Sequence, residues 1–263
     1  MGAGALPNMV GMYEESIREE FTHQTETFAR NPVATMTETL GALLELVPED
    51  NDARWLEVAC GPGSISRALA PRIASILGVD LTPTMIEKAN KEAASAGITN
   101  AEFSVGDATA LELADAGFDG AITRFSLHHI PAPWRVVEEM ARVVAPGGWV
   151  VISDFIADPD RDTYAAVEEI ERLRDPSHWS CLTAEQLRTI GDGAGLELEQ
   201  EQLIHFNIDF EDWLHRGSGG GSAAELIDQL LKGLPDSDCF RVYGQDGGRR
   251  LALVNSLTRW RRA

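Results

Sequence analysis

The chain has 263 residues, of which 44% are hydrophobic, and its 22 basic and 42 acidic residues give a formal net charge of −20. This length predicts one large domain with an elaboration, and the composition excludes a fibrous or mostly disordered protein. Because the negative charge repels phosphate backbones and anionic lipids, we expect no nucleic-acid partner and no membrane partner.

The first 50 residues show the apolar spacing of helices. Tyr13, Ile17 and Phe21 recur at intervals of four residues, and the same period returns over residues 36–47. No strand-like alternation interrupts this stretch. We therefore expect residues 1–50 to form a helical leader of two segments, which acts as a lid on the remaining domain.

From residue 51 onwards, short β-rich runs alternate with helical stretches. The runs cover residues 55–59, 73–79, 102–105, 118–123, 149–154, 197–206 and 251–260. The alternation predicts βαβ units and a mostly parallel α/β sheet. No simple helical crossover joins the last two runs, which favours an antiparallel closing strand. The predicted domain, residues 51–263, thus holds seven strands.

Start and stop signals place several helices. The start signals stand at three positions: Thr82-Pro83, Thr183 with Gln186, and Ser222 with Glu225. Pro133 opens another helix, which residues 146–148 are expected to stop. The charged stretch 167–173 is typical of an amphipathic surface helix.

An insertion of about residues 207–250 separates the last two runs and contains the glycine-rich segment 217–222. A span of this length inside a compact domain is usually a lid or a binding insertion. A mobile surface excursion explains it equally well, and both interpretations stay open.

The sequence LEVACGPGS at residues 56–64 leads a buried strand into a glycine turn and a helix. Gly61 and Gly63 allow the backbone to approach a ligand at the carboxyl end of the strand, where open α/β sheets bind ligands. Ser66 replaces the third glycine of the dinucleotide fingerprint, which disfavours a nicotinamide-dependent oxidoreductase.

Two aspartates end the next strands at the same edge of the sheet. Asp80 follows Gly61 by 19 residues, about where an acidic residue meets ribose hydroxyls in nucleotide-binding units. Capping of the next helix is the alternative role, but Thr82-Pro83 supplies a cap, so we expect the Asp80 carboxylate to be free for a ligand. For Asp107 a turn-forming role is as good an explanation as ligand binding.

Five blocks in this order resemble the class I S-adenosylmethionine-dependent methyltransferases, in particular the branch of the ubiquinone/menaquinone-biosynthesis C-methyltransferases. The blocks are LEVACGPGS (56–64), GVDLTPTMIEKA (78–89), VGDATAL (105–111), FDGAITRFSLHHIPAPW (118–134) and EEMARVVAPGGWVVISDF (138–155). The resemblance implies a Rossmann-like enzyme that uses S-adenosyl-L-methionine to methylate a small-molecule acceptor.

The resemblance also implies a set of cofactor-binding residues. In chain order they are Glu57, Ala59, Gly61, Gly63, Asp80, Leu81, Met85, Asp107, Ala108 and Arg124. The first four would hold the methionine moiety, Asp80 the ribose hydroxyls, the next four the adenine, and the Arg124 backbone would lie near the sulfonium. No metal is implied.

His128 and His129 follow the fourth strand at the ligand edge, and either imidazole is a candidate general base. Packing against the cofactor pocket is the alternative role for the pair. His23 and His178 are weaker candidates. We expect an acceptor pocket roofed by aromatic and apolar side chains of the leader and the insertion, namely Tyr13, Phe21, Phe28, Phe206, Phe210, Trp213 and Leu214.

Three cysteines, Cys60, Cys181 and Cys239, are an odd number without CxxC spacing, which argues against a disulfide framework and a structural zinc site. No export signal or long apolar run is recognisable, so we expect a cytoplasmic protein, with a homodimer left open. Since a fold does not fix its chemistry, a protein that uses the bound cofactor structurally, as in a cyclase, is the alternative to a methyltransferase.

Overall fold

The computed structural model describes residues 15–23 and 34–263. The helices are α1 (15–23), α2 (Ala34–Glu45), α3 (Ser64–Leu69), α4 (Pro83–Ser95), α5 (Pro133–Val143), α6 (Arg161–Arg174), α7 (Ala184–Gly193), α8 (Phe210–Arg216) and α9 (Gly220–Gly233). The strands are β1 (Asp50–Val58), β2 (Ile73–Asp80), β3 (Ala101–Val105), β4 (Phe118–Arg124), β5 (Val144–Phe155), β6 (Leu196–Asp209), β7 (Phe240–Gln245) and β8 (Gly248–Arg262). Tyr13 and Phe28, assigned above to the pocket roof, lie outside the described residues.

The sheet has the order β3-β2-β1-β4-β5-β8-β6, and β7 pairs with β8 beside this path. The first five strands of that order are parallel, whereas β8 runs antiparallel to both β5 and β6. The mostly parallel sheet with an antiparallel last strand is thus confirmed.

Within the described residues the sheet holds eight strands instead of the predicted seven, because β7 lies inside the insertion and forms a hairpin with β8. Asp246 and Gly247 connect them with φ values of 51° and 84°. Both residues of a tight hairpin turn need positive φ, which is why Asp-Gly is a strong hairpin signal. The prediction above overlooked this dipeptide.

Apolar residues cover both faces of the sheet. Leu56 packs in one core cluster with residues of α5 and α7, while its neighbour Trp55 packs in another with residues of α2 and α3. Successive strand residues point to opposite faces, so one buried strand serves both clusters. A third cluster lies beneath α6, α8 and α9. Among the described helices, none is long and apolar enough to cross a membrane.

The structure confirms some helix signals and corrects others. Thr183 and Gln186 form the capping box at the start of α7. At α9 the prediction was wrong, because the helix begins at Gly220 and the Ser222 hydroxyl donates to the Gly219 carbonyl. Likewise α5 already ends at Val143, so residues 146–148 belong to the irregular start of β5.

The glycine-rich segment 217–222 is closely packed. A Cβ atom on Gly217 would lie 2.2 Å from the Arg174 carbonyl oxygen, and one on Gly220 would lie 1.7 Å from the Leu214 carbonyl oxygen. Only glycine permits backbones to approach this closely. This close packing contradicts a mobile surface excursion at this segment, because its glycines let α8 and α9 pack against the end of α6.

Helix α6 also departs from the expected surface helix. Glu168 and Glu171 are 2% and 8% exposed, although such carboxylates are rarely buried without partners. Arg174 donates to Glu171, and His178 pairs with Glu168. The polar face of α6 therefore forms part of the interior beside the site described next.

Candidate functional site

The carboxyl ends of the parallel strands meet at one edge of the sheet, above a cavity of about 1050 Å³. This exceeds the ~300–1,000 Å³ of ordinary small-ligand pockets, so two molecules have room side by side. Nine of the ten predicted cofactor residues and both candidate catalytic histidines line the cavity. Gly63 is the exception.

The turn after β1 has left-handed backbone at three positions: Ala59 with φ 53°, Gly61 with φ 51° and Gly63 with φ 72°. A Cβ on Gly61 would meet no atom within 4 Å, so its backbone faces open space in the cavity wall. A Cβ on Gly63 would instead lie 2.5 Å from the Phe103 ring. Gly63 thus serves the packing of this turn against the Phe103 ring, and the ligand-binding role that the resemblance implies for it stays a prediction.

Asp80 stands at the end of β2 beside this turn. Its Oδ2 accepts the Gly61 N–H at 2.8 Å and its Oδ1 accepts the Thr82 N–H at 2.8 Å. The Thr82 side chain does not cap α4. The expectation that Asp80 is released from local bonds was therefore wrong, but each carboxylate oxygen has a second lone pair for a ligand hydroxyl.

Glu57 lines the cavity and is 3% exposed. Its Oε2 accepts the Ser66 N–H at 2.8 Å and the Ser66 hydroxyl at 2.5 Å. Burial outweighs these bonds and raises the pKa of Glu57 to about 7. A cationic ligand group, such as an ammonium, would stabilise the ionised carboxylate here.

The far side of the turn offers an apolar slot with a polar edge. Met85 is 1% exposed and lines the cavity together with Leu81 and Ala108. Asp107 accepts bonds from the backbone N–H and the hydroxyl of Thr109, each at 2.8 Å, so it also forms the local turn. Together with Asp80 this arrangement fits the adenosine part of S-adenosylmethionine.

Arg124 ends β4 and lines the cavity. Its guanidinium donates to the Thr39 hydroxyl of α2 and lies 4.4 Å from the centre of the Phe125 ring. Burial lowers its pKa to about 10, so it stays cationic at neutral pH. The side chain thereby joins the leader to the domain.

His128 forms a buried pair with Asp154. The Nδ1–H of His128 donates to Asp154 Oδ1 at 2.5 Å, and Asp154 Oδ2 accepts the Leu127 N–H at 2.7 Å. Burial alone would lower the pKa of His128, but the Asp154 carboxylate outweighs it and raises that pKa above its ordinary value. Since Nδ1 is engaged, Nε2 is the ring nitrogen that can meet a ligand in the cavity.

His129 has a different environment. Its Nδ1 lies 3.1 Å from the Ser177 carbonyl oxygen, and its ring makes an edge contact with Phe21 at 4.9 Å. Burial and the neighbouring His128 charge hold the pKa of His129 well below its usual range. His129 therefore stays neutral and connects the helix α1 to the segment after α6.

The two weaker histidine candidates differ in burial and in whether they line the cavity. His23 is exposed and does not line the cavity, whereas His178 lines it and is 4% exposed. Glu168, His178 and Cys181 place possible metal-ligating atoms within 4.8 Å of one another. The Glu168 carboxylate already accepts N–H groups of Arg172, His178 and Cys181, which accounts for this cluster without an ion.

Both predicted roof segments contribute to the cavity. Ile17 and Phe21 of α1 line it, as do Phe206 and Trp213. The remaining two predicted roof residues, Phe210 and Leu214, are 0% and 1% exposed and pack in the core beneath α9 instead.

One further contact holds α1 over the cavity. Glu20 is 4% exposed, and its carboxylate accepts the backbone N–H of Ser218 at 2.9 Å and the Ser218 hydroxyl. Glu20 and Ser218 thus connect the leader to the segment between α8 and α9. No local pattern predicts this pairing, because the two residues are far apart in the chain.

Neither Asp154 nor an aromatic stack that lines the cavity was predicted from the sequence. Asp154 ends β5 at the same edge as Asp80 and Asp107, a position that could have revealed it. Phe125 stacks on Phe155 with ring centres 4.4 Å apart, and Phe206 follows at 5.9 Å. Because these rings come from three segments that are distant in the chain, no local sequence pattern predicts the stack.

Comparison with known proteins shows similarity to methyltransferases. The family profile of the methyltransferase domain matches residues 56–152. The uncharacterized methyltransferase YcgJ of Bacillus subtilis is 28% identical over 211 residues, which are 80% of this chain and 82% of that protein. Its crystal structure superimposes with a TM-score of 0.80 at 26% identity and covers 86% of this chain and 98% of its own.

One further relative and one further solved structure carry names of different activities. The 27-O-demethylrifamycin SV methyltransferase of Amycolatopsis mediterranei is 29% identical over 62% of this chain and 59% of that protein. The [4+2]-cyclase SpnF has a TM-score of 0.63 at 19% identity, covering 86% of this chain and 80% of its own, a likeness of fold alone.

The glycine turn, the acidic residues at successive strand ends and the similarity to methyltransferases agree on S-adenosylmethionine as the methyl donor. These findings support a class I S-adenosylmethionine-dependent methyltransferase, whose methyltransferase domain matches residues 56–152.

Proposed function

We propose that this enzyme methylates a small molecule at a hydroxyl or another atom that must lose a proton, with His128 as the general base. The observation that carries the proposal is the buried His128–Asp154 pair at 2.5 Å, on a cavity with room for an acceptor beside the cofactor. The proposed cofactor residues line the same cavity, so the base and the methyl donor would face the same acceptor.

Methyl transfer needs few further chemical groups from the protein. When bound, S-adenosylmethionine supplies a methyl group activated by its positively charged sulfur and leaves as S-adenosylhomocysteine. His128 Nε2 would take the proton that the acceptor atom loses when it is methylated. Asp154 holds the ring in the tautomer whose Nε2 is unprotonated and stabilises the imidazolium that results.

The remaining wall positions the acceptor and excludes water. Phe155 lies beside His128 with ring centres 5.3 Å apart, and it stacks on Phe125. A flat aromatic surface next to the base suits an acceptor with a planar or apolar body. The α1 helix closes the other side through Phe21, which limits hydrolysis and aligns the reactants.

The test is a screen of small phenols, enolisable 1,3-dicarbonyls and aliphatic alcohols with S-adenosylmethionine, read as S-adenosylhomocysteine by mass spectrometry. We expect phenolic or enolic members to be methylated. Replacing His128 by Gln should lower turnover by ~10² or more with unchanged S-adenosylhomocysteine affinity, as for a lost general base.

The matched control is His129→Gln, which alters the neighbouring imidazole. It should retain turnover per bound cofactor, because His129 is neutral and bonded to Ser177. Equal losses in both variants, or full activity of His128→Gln, would reject His128 as the base. An acceptor rearranged without any S-adenosylhomocysteine would favour the cyclase alternative.

A further inference from the structure

Arg216 ends α8 on the wall of the cavity. Trp213 precedes it by three residues, and residues at this spacing share a helix face. Trp213 is 3% exposed, and the Arg174 guanidinium lies 4.9 Å from its ring centre. Arg216 therefore lies on the side of α8 that faces Arg174 and the cavity, and it is partly buried there.

The other buried or partly buried arginines of the cavity have protein partners. Arg174 pairs with Glu171 at 3.0 Å and with Asp175 at 3.5 Å. Arg250 donates to the Asn207 carbonyl oxygen at 3.1 Å, and Arg124 to a hydroxyl. Within residues 15–23 and 34–263, Arg216 makes no hydrogen bond and no ion pair.

The surroundings of Arg216 leave its charge poorly compensated. Burial and the nearby Arg174 charge lower the pKa of Arg216, against the attraction of Asp212 and Glu171. A cation in the last turn of a helix is favourable in itself, but this explains the charge and not its position in a cavity wall. An anion placed here would relieve both the desolvation and the repulsion.

We propose that Arg216 binds an anionic group of the methyl acceptor, a carboxylate or a phosphate, and thereby selects the class of acceptor. The inference rests on the proposed function, since it assigns one end of the acceptor whose other end meets His128. A guanidinium offers two parallel N–H donors that match both anions. The Phe155 and Phe206 rings line the same cavity, so the acceptor is a small anion with an apolar body.

The experiment titrates the complex with S-adenosylhomocysteine by calorimetry, using benzoate, phenyl phosphate and the neutral benzamide as probes. We expect benzoate or phenyl phosphate to bind at least tenfold more tightly than benzamide, and the tighter of the two identifies the anion. Arg216→Gln should abolish the preference, and Arg216→Lys should keep part of it. Arg188→Gln, which alters an exposed arginine paired with Glu201, is the control and should keep all of it.

Two results would overturn the proposal: no preference for the anions in the unmodified protein, or a preference that survives in Arg216→Gln. If that variant does not fold, phenylglyoxal modification of the unmodified protein decides instead. Benzoate or phenyl phosphate, but not benzamide, should protect Arg216 from modification, as measured by peptide mass spectrometry. Equal modification of Arg216 with the anions and with benzamide would refute the proposal. These readouts need no turnover, so they are independent of the role of His128.

Discussion

At the scale of single residues, two adjacent histidines in the same cavity have opposite properties. The difference comes from their partners: His128 faces a carboxylate, whereas His129 faces a carbonyl oxygen and a second imidazole. The first arrangement favours the protonated ring and the second the neutral ring. A base must accept a proton readily, so only His128 fits the role.

This difference predicts a pH profile. Because the pKa of His128 is raised, turnover should increase with pH through a limb whose midpoint lies above the ordinary ~6.5 of histidine. Asp154→Asn removes the carboxylate that raises this pKa, so the limb should move to lower pH while the maximal rate falls. Rates measured from pH 5 to 9 check this. A limb that stays in place would show that another group controls the profile.

Asp80 allows a second test at this scale. Asp80→Asn retains the shape of the side chain but loses the charge that strengthens bonds to ligand hydroxyls. A charged hydrogen bond contributes ~1.5–3 kcal/mol, so S-adenosylhomocysteine should bind at least about tenfold more weakly. Calorimetry measures this, with the exposed Asp52→Asn as control. Unchanged affinity of Asp80→Asn would move the ribose site elsewhere.

At the scale of elements, the segment between α8 and α9 is held by its glycines. We expect Gly217→Ala to destabilise the protein by ~1–3 kcal/mol, as overpacking does, because its Cβ would meet the Arg174 carbonyl. Gly221→Ala is the matched control, since its Cβ would come no closer than 3.8 Å to any atom. Thermal unfolding compares the two. Equal melting temperatures would contradict the close packing.

The contact between α1 and this segment predicts the behaviour of the lid. Glu20→Gln weakens the bonds to Ser218, and a lost charged bond of ~1.5–3 kcal/mol should raise amide exchange in α1 about tenfold or more. Glu19→Gln on the exposed face of the same helix should leave exchange unchanged. Mass spectrometry of peptides covering residues 15–23 measures both. If neither variant changes exchange, other contacts hold α1.

At the scale of the whole molecule, we expect the net charge of −20 to control how stability depends on salt. Like charges repel most strongly in the compact state, and salt shortens the screening length from ~30 Å at 0.01 M to ~8 Å at 0.15 M. The melting temperature should therefore rise when sodium chloride increases over this range. Calorimetric scans at fixed pH test this. A falling melting temperature would mean that the surface ion pairs outweigh the repulsion.

Local sequence patterns predict the parallel sheet of this protein and the edge at which a ligand would bind. The alternation of strands and helices predicted the parallel sheet, and the glycine turn with acidic residues at strand ends predicted one ligand edge. These signals work because strand period, turn geometry and helix caps depend on residues close together in the chain. The eighth strand was predictable in the same way, from Asp246-Gly247, but was overlooked.

The tertiary structure alone decided which side chains meet. It paired Asp154 with His128 and joined Glu20 to Ser218. It also stacked Phe125, Phe155 and Phe206. The glycines of 217–222 allow close backbone contacts there. Each of these contacts joins residues distant in sequence or depends on the burial of a charged group. Local periodicity carries no information about such contacts, because their energies arise only once the chain has folded and water is excluded.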